Sequence, residues 1–264
     1  MAHGKITDGL MALGLTVVLA SLHGCAAPAT KQAVGATFDG PPTAIGDGQA
    51  KAFVTLDGKG MPMAIGIRLT SAALNNLPKE HPHDVPGVEY PLALPKQVAM
   101  TGFNDFTVGW NPQGHIPPGV YDTPHFDFNF YLIRPAERYK ITLQGDDLTR
   151  AQKQPAPEFM PDGYMLPEGT AEPRMGAHAV DLSAPEFNRQ GFTKTFIYGF
   201  YDGRMIFLEP MVTKAFFETK SNVTEMLKLP RSYPAHGYYP TKYHVGYDPE
   251  TKEYVIALEG LVYR

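Results

Sequence analysis

Pro124–Arg134, PHFDFNFYLIR, is the stretch on which the fold turns. Side chains along a β-strand point alternately to opposite faces. His125, Asp127, Asn129 and Tyr131 therefore share one face, and Phe126, Phe128, Phe130 and Leu132 the other. The second face is an aromatic packing surface. The first is a row of groups able to bind metal, move protons or donate hydrogen bonds, where a merely solvated strand would carry Lys, Glu or Thr. The pattern predicts a strand with a core on one side and a polar cavity on the other.

Working outward, further strands are expected at Lys51–Leu56, Met63–Leu69, Val88–Leu94, Phe106–Trp110, Tyr139–Gln144, Phe192–Tyr198, Met205–Glu209, Tyr243–Tyr247 and Tyr254–Arg264. The first two flank the turn Asp57-Gly58-Lys59-Gly60 and read as a hairpin. A short helix capped by Thr70 or Ser71 should stop at Pro78, and a second is expected over Asn222–Leu229 before Pro230. Residues 145–175, rich in Pro, Gly and charge, read as a long irregular excursion of the kind that usually serves function or mobility. With 26 Gly and 25 Pro there are many turns. Some ten short strands without βαβ alternation predict a mainly β fold, one barrel- or sandwich-like domain over residues 50–264 with a few short helices.

The N-terminus has a different character. Residues 10–22, LMALGLTVVLASL, have the length of a signal-peptide core and are too short for an ordinary membrane span. They lead into Leu22-His23-Gly24-Cys25, which resembles a bacterial lipobox, with Cys25 as the lipidated first residue of the mature protein. A plain secretory signal cut near Ala26-Ala27-Pro28-Ala29 is the alternative, and both place the protein outside the cytoplasm. The expected order is a signal peptide over 1–24, the lipidated cysteine and a flexible tether over 25–49, then the β-rich domain. The localisation that follows is the bacterial cell envelope, on its periplasmic or extracellular face, with the membrane as a partner through the anchor.

Composition narrows the chemistry. The net charge is −4 and Lys and Arg are scattered, so there is no basic footprint for nucleic acid. Cys25 is the only cysteine, so the rest of the chain has no disulfide, no cysteine nucleophile and no thiolate metal site. Any metal must use His, carboxylate and amide ligands. A phosphate-cradling glycine loop, GxSxG and HExxH are all missing.

His125 and Asp127, two apart on one face, stand roughly 6–7 Å apart at Cα and can reach a common ion. A two-histidine, one-carboxylate set suits a divalent transition metal, and His178 and Glu209, each beside Gly or Pro, are the candidates to complete it. The bland reading is a buried hydrogen-bond network among the same residues. His115, in the rigid loop WNPQGHIPPG before the strand, and Asn129 are expected at the cavity rim, with loop bracing an equal role for His115. His81, His83 and Asp84 form a second cluster that reads as a solvated turn.

Several segments also look familiar as an ordered set: Ala52–Leu56 with Ala64-Ile65-Gly66, Trp110–His115, Tyr121–Phe128, Met175–His178, Phe196–Gly199 and Glu209–Thr213. Together they resemble an uncharacterised family of exported bacterial proteins typified by a Thermus protein under an envelope-stress sigma factor and its anti-sigma partner. The resemblance spans about 50–264. The family pattern reads PHFDxHFY where this chain has PHFDFNFY, so Asn129 stands in place of a second histidine. The resemblance implies export and a one-domain fold, and supplies no reaction. Three roles stay open: a metal- or small-ligand-binding protein, extending to a metalloenzyme; a non-enzymatic envelope-stress protein, homo-oligomeric, whose polar strand organises the core; and an acid–base enzyme using His125 and Asp127.

Overall fold

The computed structural model describes residues 1–4, 35–80 and 87–264. In chain order the strands are β1 (Ala36–Asp39), β2 (Thr43–Ile45), β3 (Gly48–Leu56), β4 (Pro62–Thr70), β5 (Val88–Leu92), β6 (Asp105–Asn111), β7 (His125–Tyr131), β8 (Tyr164–Met165) and β9 (Ala171–Glu172). They continue as β10 (Gly176–Asp181), β11 (Lys194–Tyr201), β12 (Arg204–Thr213), β13 (Val223–Met226), β14 (Tyr238–Tyr239), β15 (Lys242–Asp248), β16 (Glu253–Glu259) and β17 (Val262–Tyr263). One sheet runs β1-β3-β4-β16-β15-β13, with β2 also on β3; a second runs β5-β6-β7-β12-β11-β10-β8, with β9 on β10. All these pairings are antiparallel, and neither sheet closes on itself. The fold is a mainly β sandwich, as the strand count predicted.

Alternation explains the layering. In the first sheet Val54 pairs with Ile65 and Ala52 with Ile67, and Ile256 and Val245 continue that apolar face across β16 and β15. In the second, Phe126, Phe128 and Phe130 stand opposite Trp110, Val108 and Phe106. These two faces bury each other in one core. The phenylalanines of β7 are fully buried there, with Phe126 and Phe128 packed edge-on to Phe217.

The second sheet is buried on its other face too. Tyr121, Ile141 and Phe192, from the loops around it, pack on Tyr131, Ile197, Ile206, Phe207 and Met211. Every residue of β7 is consequently buried, on both faces. The cover is held partly by charge. Arg138, in the short helix α1 (Pro135–Arg138), is 1% exposed and makes two 2.8 Å hydrogen bonds to the Glu89 carboxylate. Its Nε lies 3.1 Å from Asp105 Oδ2, and its guanidinium stacks on the Tyr131 ring at 4.6 Å.

Three expected elements differ. Tyr139–Gln144 is not a strand: α1 continues into it through turn hydrogen bonds at Lys140 and Ile141, and Leu143 takes a φ of +58° that ends any extended run. Asn222–Leu229 is not a helix. Its Val223–Met226 lies along β15 as an edge strand, where a ladder is available and β-branched Val223 and Thr224 favour extended backbone. The helix after Thr70 is a single 3-10 turn, Ser71–Leu74. The sheet also begins earlier than residue 50, because β1 and β2 pair with β3 inside the stretch expected to be tether. The apolar run at 10–22, Cys25 and the first part of that tether, and the cluster His81, His83 and Asp84, lie outside the described residues.

Removing the clamp while leaving its acids in place should be expensive. Arg138→Ala strands Asp105 and Glu89, and breaking a buried pair in this way costs about 3–5 kcal/mol. Lys153→Ala, which breaks the exposed Lys153–Asp202 pair, should cost under about 1 kcal/mol. Urea unfolding of both variants checks the contrast.

Candidate metal centre on the covered face

Register places the polar residues. His125, Asp127 and Asn129 on β7 stand opposite Asn111, Gly109 and Thr107 on β6. On the other side Thr213 and Met211 of β12 pair with His125 and Asp127. The ladder is interrupted at 209 and 210, where Pro210 has no N–H to give it, and the register on either side sets Glu209 opposite Asn129. His178 on β10 reaches the same face through its pairing with Gly199 of β11. A band of polar groups thus crosses four strands beneath the cover.

Two clusters form within that band. The first joins His115, His125 and Asp127, whose ligand atoms all lie within 4.8 Å of one another. His125 Nε2 is 3.2 Å from Asp127 Oδ1, and His115 Nε2 is 3.6 Å from Asp127 Oδ2. Asn111 donates from Nδ2 to Asp127 Oδ2 at 2.6 Å and lies 3.3 Å from His125 Nε2. The second cluster is His178 and Glu209, with 3.8 Å between Nε2 and Oε2. So the four residues expected as one ligand set divide into two pairs, and the nearest partner of His125 and Asp127 is His115. Asn129 lies between the clusters, accepting from Thr107 Oγ1 at 3.1 Å.

Local backbone puts His115 there. The turn after β6 closes with Gly114 N–H donating to Asn111 O, and His115 then bridges back to Tyr121. Gly114 has φ +74°, and a Cβ on it would stand 2.0 Å from Tyr121 O, so the turn requires glycine. Gly109 lies directly beside Asp127: a Cβ there would meet Asp127 Cβ at 3.3 Å and Oδ2 at 3.4 Å. Nothing in the sequence joins His115 to a strand ten residues later. The available signal was the Pro- and Gly-framed loop, which restricts where its histidine can go.

All three histidines are held alike. Nδ1 of His125 faces Thr123 O at 2.6 Å, that of His115 faces Ile116 O at 2.8 Å, and that of His178 faces Thr170 O at 2.6 Å. A carbonyl can only accept, so Nδ1 carries the hydrogen and Nε2 is turned toward a carboxylate. This fixing of the outer nitrogen by a main-chain carbonyl is the usual support for a metal-ligating histidine.

Electrostatics sharpen the picture. Burial alone would raise the Asp127 carboxyl, but the His125 charge and the His115 and His125 hydrogen bonds outweigh it and hold Asp127 well below the usual carboxylate range. Burial opposes a charge on His115, yet Asp127 beside it wins and pushes its pKa up to about 10. Burial raises Glu209 well above the ordinary range, and the negative charge of Asp127 adds to that. Asp127 Oδ1 has His125 Nε2 at 3.2 Å as its neighbour, while Glu209 Oε2 is buried without a hydrogen-bond partner among the described residues.

Comparison with known proteins adds one likeness. No curated protein and no solved structure matches the chain. Residues 57–110, from the β3–β4 turn to the penultimate residue of β6, match the family described as "TTHB210-like: Hypothetical protein TTHB210". That match is narrower than the resemblance over about 50–264, stops before the His/Asp cluster, and supports likeness to an uncharacterised family typified by a Thermus protein.

Proposed function

We propose that this chain is an exported bacterial envelope protein that binds a divalent transition metal at His115, His125 and Asp127. The observation that carries the reading is the shared orientation of the two histidines. Each has Nδ1 fixed on a carbonyl and Nε2 turned to one carboxylate, with all three ligand atoms inside 4.8 Å. Two ligands bound about 2.1 Å from one tetrahedral or octahedral ion stand about 3.0–3.4 Å apart, and the two histidines lie 3.2 and 3.6 Å from the two oxygens of Asp127, so a common ion draws the set inward from its 4.8 Å span. Two histidines and one carboxylate with positions left open suit Fe, Mn or Zn and admit a small ligand or a reaction. Export rests on the apolar run and the lipobox-like Cys25, which would anchor the domain to the membrane, and an association with envelope stress rests only on the motif resemblance over about 50–264.

One observation favours the network reading. Asp127 already has Asn111 at 2.6 Å and a histidine beside it whose pKa is about 10, so its charge is balanced without an ion. In that case the cluster serves stability alone.

Metal analysis of the protein decides between them. A saturating metal at one hundred times its Kd adds about 2.7 kcal/mol of stability, seen as a rise in Tm with one of Fe, Mn, Cu or Zn. Asp127→Asn and His125→Ala should abolish it, and Asn111→Ala, which removes an outer support, should weaken binding by about 10–100-fold. An unchanged Tm with all four metals sinks the metal reading.

The pH profile of the chelator-treated protein tests the ion pair itself. The folded pKa of His115 lies above its ordinary 6.5, so its contribution is complete below pH 6.5 and is lost as pH climbs through about 10. Asp127 shifts the other way, so its share is present above the ordinary carboxylate range and is lost only in strong acid. His115→Gln should flatten the alkaline fall in stability between those limits. Denaturant midpoints measured across that range provide the check.

A further inference from the structure

The face of the first sheet that lies away from the core carries an apolar groove. Core residues of β3, β4 and β16 alternate with Phe53, Ala64, Val255 and Ala257, which therefore point outward and line a groove of about 840 Å3. Met61, Met63, Val262 and Tyr263 also line it and are 48%, 44%, 38% and 62% exposed. An exposed apolar surface of this kind marks a site for a protein or a membrane.

The charges in the lining are matched. Arg68 and Lys242 pair with Asp39 at 2.5 Å and Glu259 at 3.3 Å, and the Asp57 carboxylate accepts from the backbone N–H groups of Lys59 and Met61. Tyr263 packs edge-on to Tyr238 at 5.3 Å, and a side chain with an apolar body and a polar tip suits a lipid–water boundary. The course of the chain favours lipid over protein. A Cβ on Gly35 would stand 2.3 Å from Leu56 O and 3.5 Å from the side chain of Thr55, which lines the groove, so the chain arrives from Cys25 at the groove's edge. Cys25 lies ten residues before Gly35, a span of at most about 35 Å. A lipid on Cys25 would hold this edge of the domain close to the bilayer.

We propose that the domain rests on the lipid surface that holds its anchor, with the groove face of the first sheet against the bilayer. This rests on the lipidated Cys25 and is independent of the metal reading. The inner faces of the two sheets bury each other, so the covered face of the second sheet points the opposite way. Docking then turns the side that carries His115, His125 and Asp127 away from the membrane.

Methionine oxidation by periodate, a charged reagent that stays in water, tests the proposal on the natural chain purified from membranes and reconstituted into phosphatidylethanolamine–phosphatidylglycerol vesicles. Met165, on the second sheet and 42% exposed, is the reference for Met61 and Met63, since like exposure gives like rates on a free face. Met61 and Met63 should be oxidised several-fold more slowly than Met165. Tyr263→Asp, at an exposed position that tolerates the change, should remove the protection by placing a charge on the docked face. If Cys25 carries lipid by mass and the three methionines react alike, the docking is overturned and the anchor stands. If Cys25 carries no lipid, both fall. Protection that Tyr263→Asp leaves unchanged, or that grows with the density of protein on the vesicles, assigns the face to a protein contact and overturns the membrane reading.

Discussion

A sheet buried on both faces must give every polar side chain it carries a partner, and the second sheet of this protein is such a sheet. Its inner face needs none, because it is aromatic and aliphatic. Its outer face is crossed by acids, imidazoles and amides that the cover seals from water. Burial of a charge is tolerable only with compensation, and the two ends of β7 solve this differently. Near Tyr131 the acids Glu89 and Asp105 receive a buried arginine. Near His125 the acid receives imidazoles and an amide, which are groups that can also exchange a proton for a metal.

That difference separates scaffold from site. The Arg138 cluster is built on a permanently cationic guanidinium, so it can fasten α1 to the sheet and do little else. The Asp127 cluster instead joins a carboxylate to two imidazoles, groups of variable protonation. The cover therefore has one end built for permanence and one built around exchangeable protons.

Much of this was legible in PHFDFNFYLIR. A period of two splits Phe from His, Asp and Asn without ambiguity, and a row of three aromatic rings cannot be left in water. The convergence of His178 with Glu209 could be anticipated from strand-like flanks. His115 could not be placed with His125, because a turn that requires Gly114 brings it back. Arg138 gave no signal at all, since nothing in its local sequence points to the Glu89 and Asp105 that lie beneath it. Tyr139, Ile141 and Leu143 alternate as a strand would, yet Tyr139 is exposed while Ile141 and Leu143 pack into the cover. The stretch 36–45 has the small, Pro-rich composition of a tether, and its pairing with β3 is decided by a neighbour that local composition does not reveal.

Gly199 and Phe207 face each other across β11 and β12, and a Cβ on Gly199 would sit 1.9 Å from the Phe207 ring. The ring fills the place of the absent side chain and in turn backs the His178 imidazole. Neither position can drift alone: a larger residue at 199 would evict the ring, and a smaller one at 207 would leave the imidazole unsupported. Over evolutionary time the two sites should vary as a couple, so the constraint exerted by His178 extends to two positions that contribute no polar side chain.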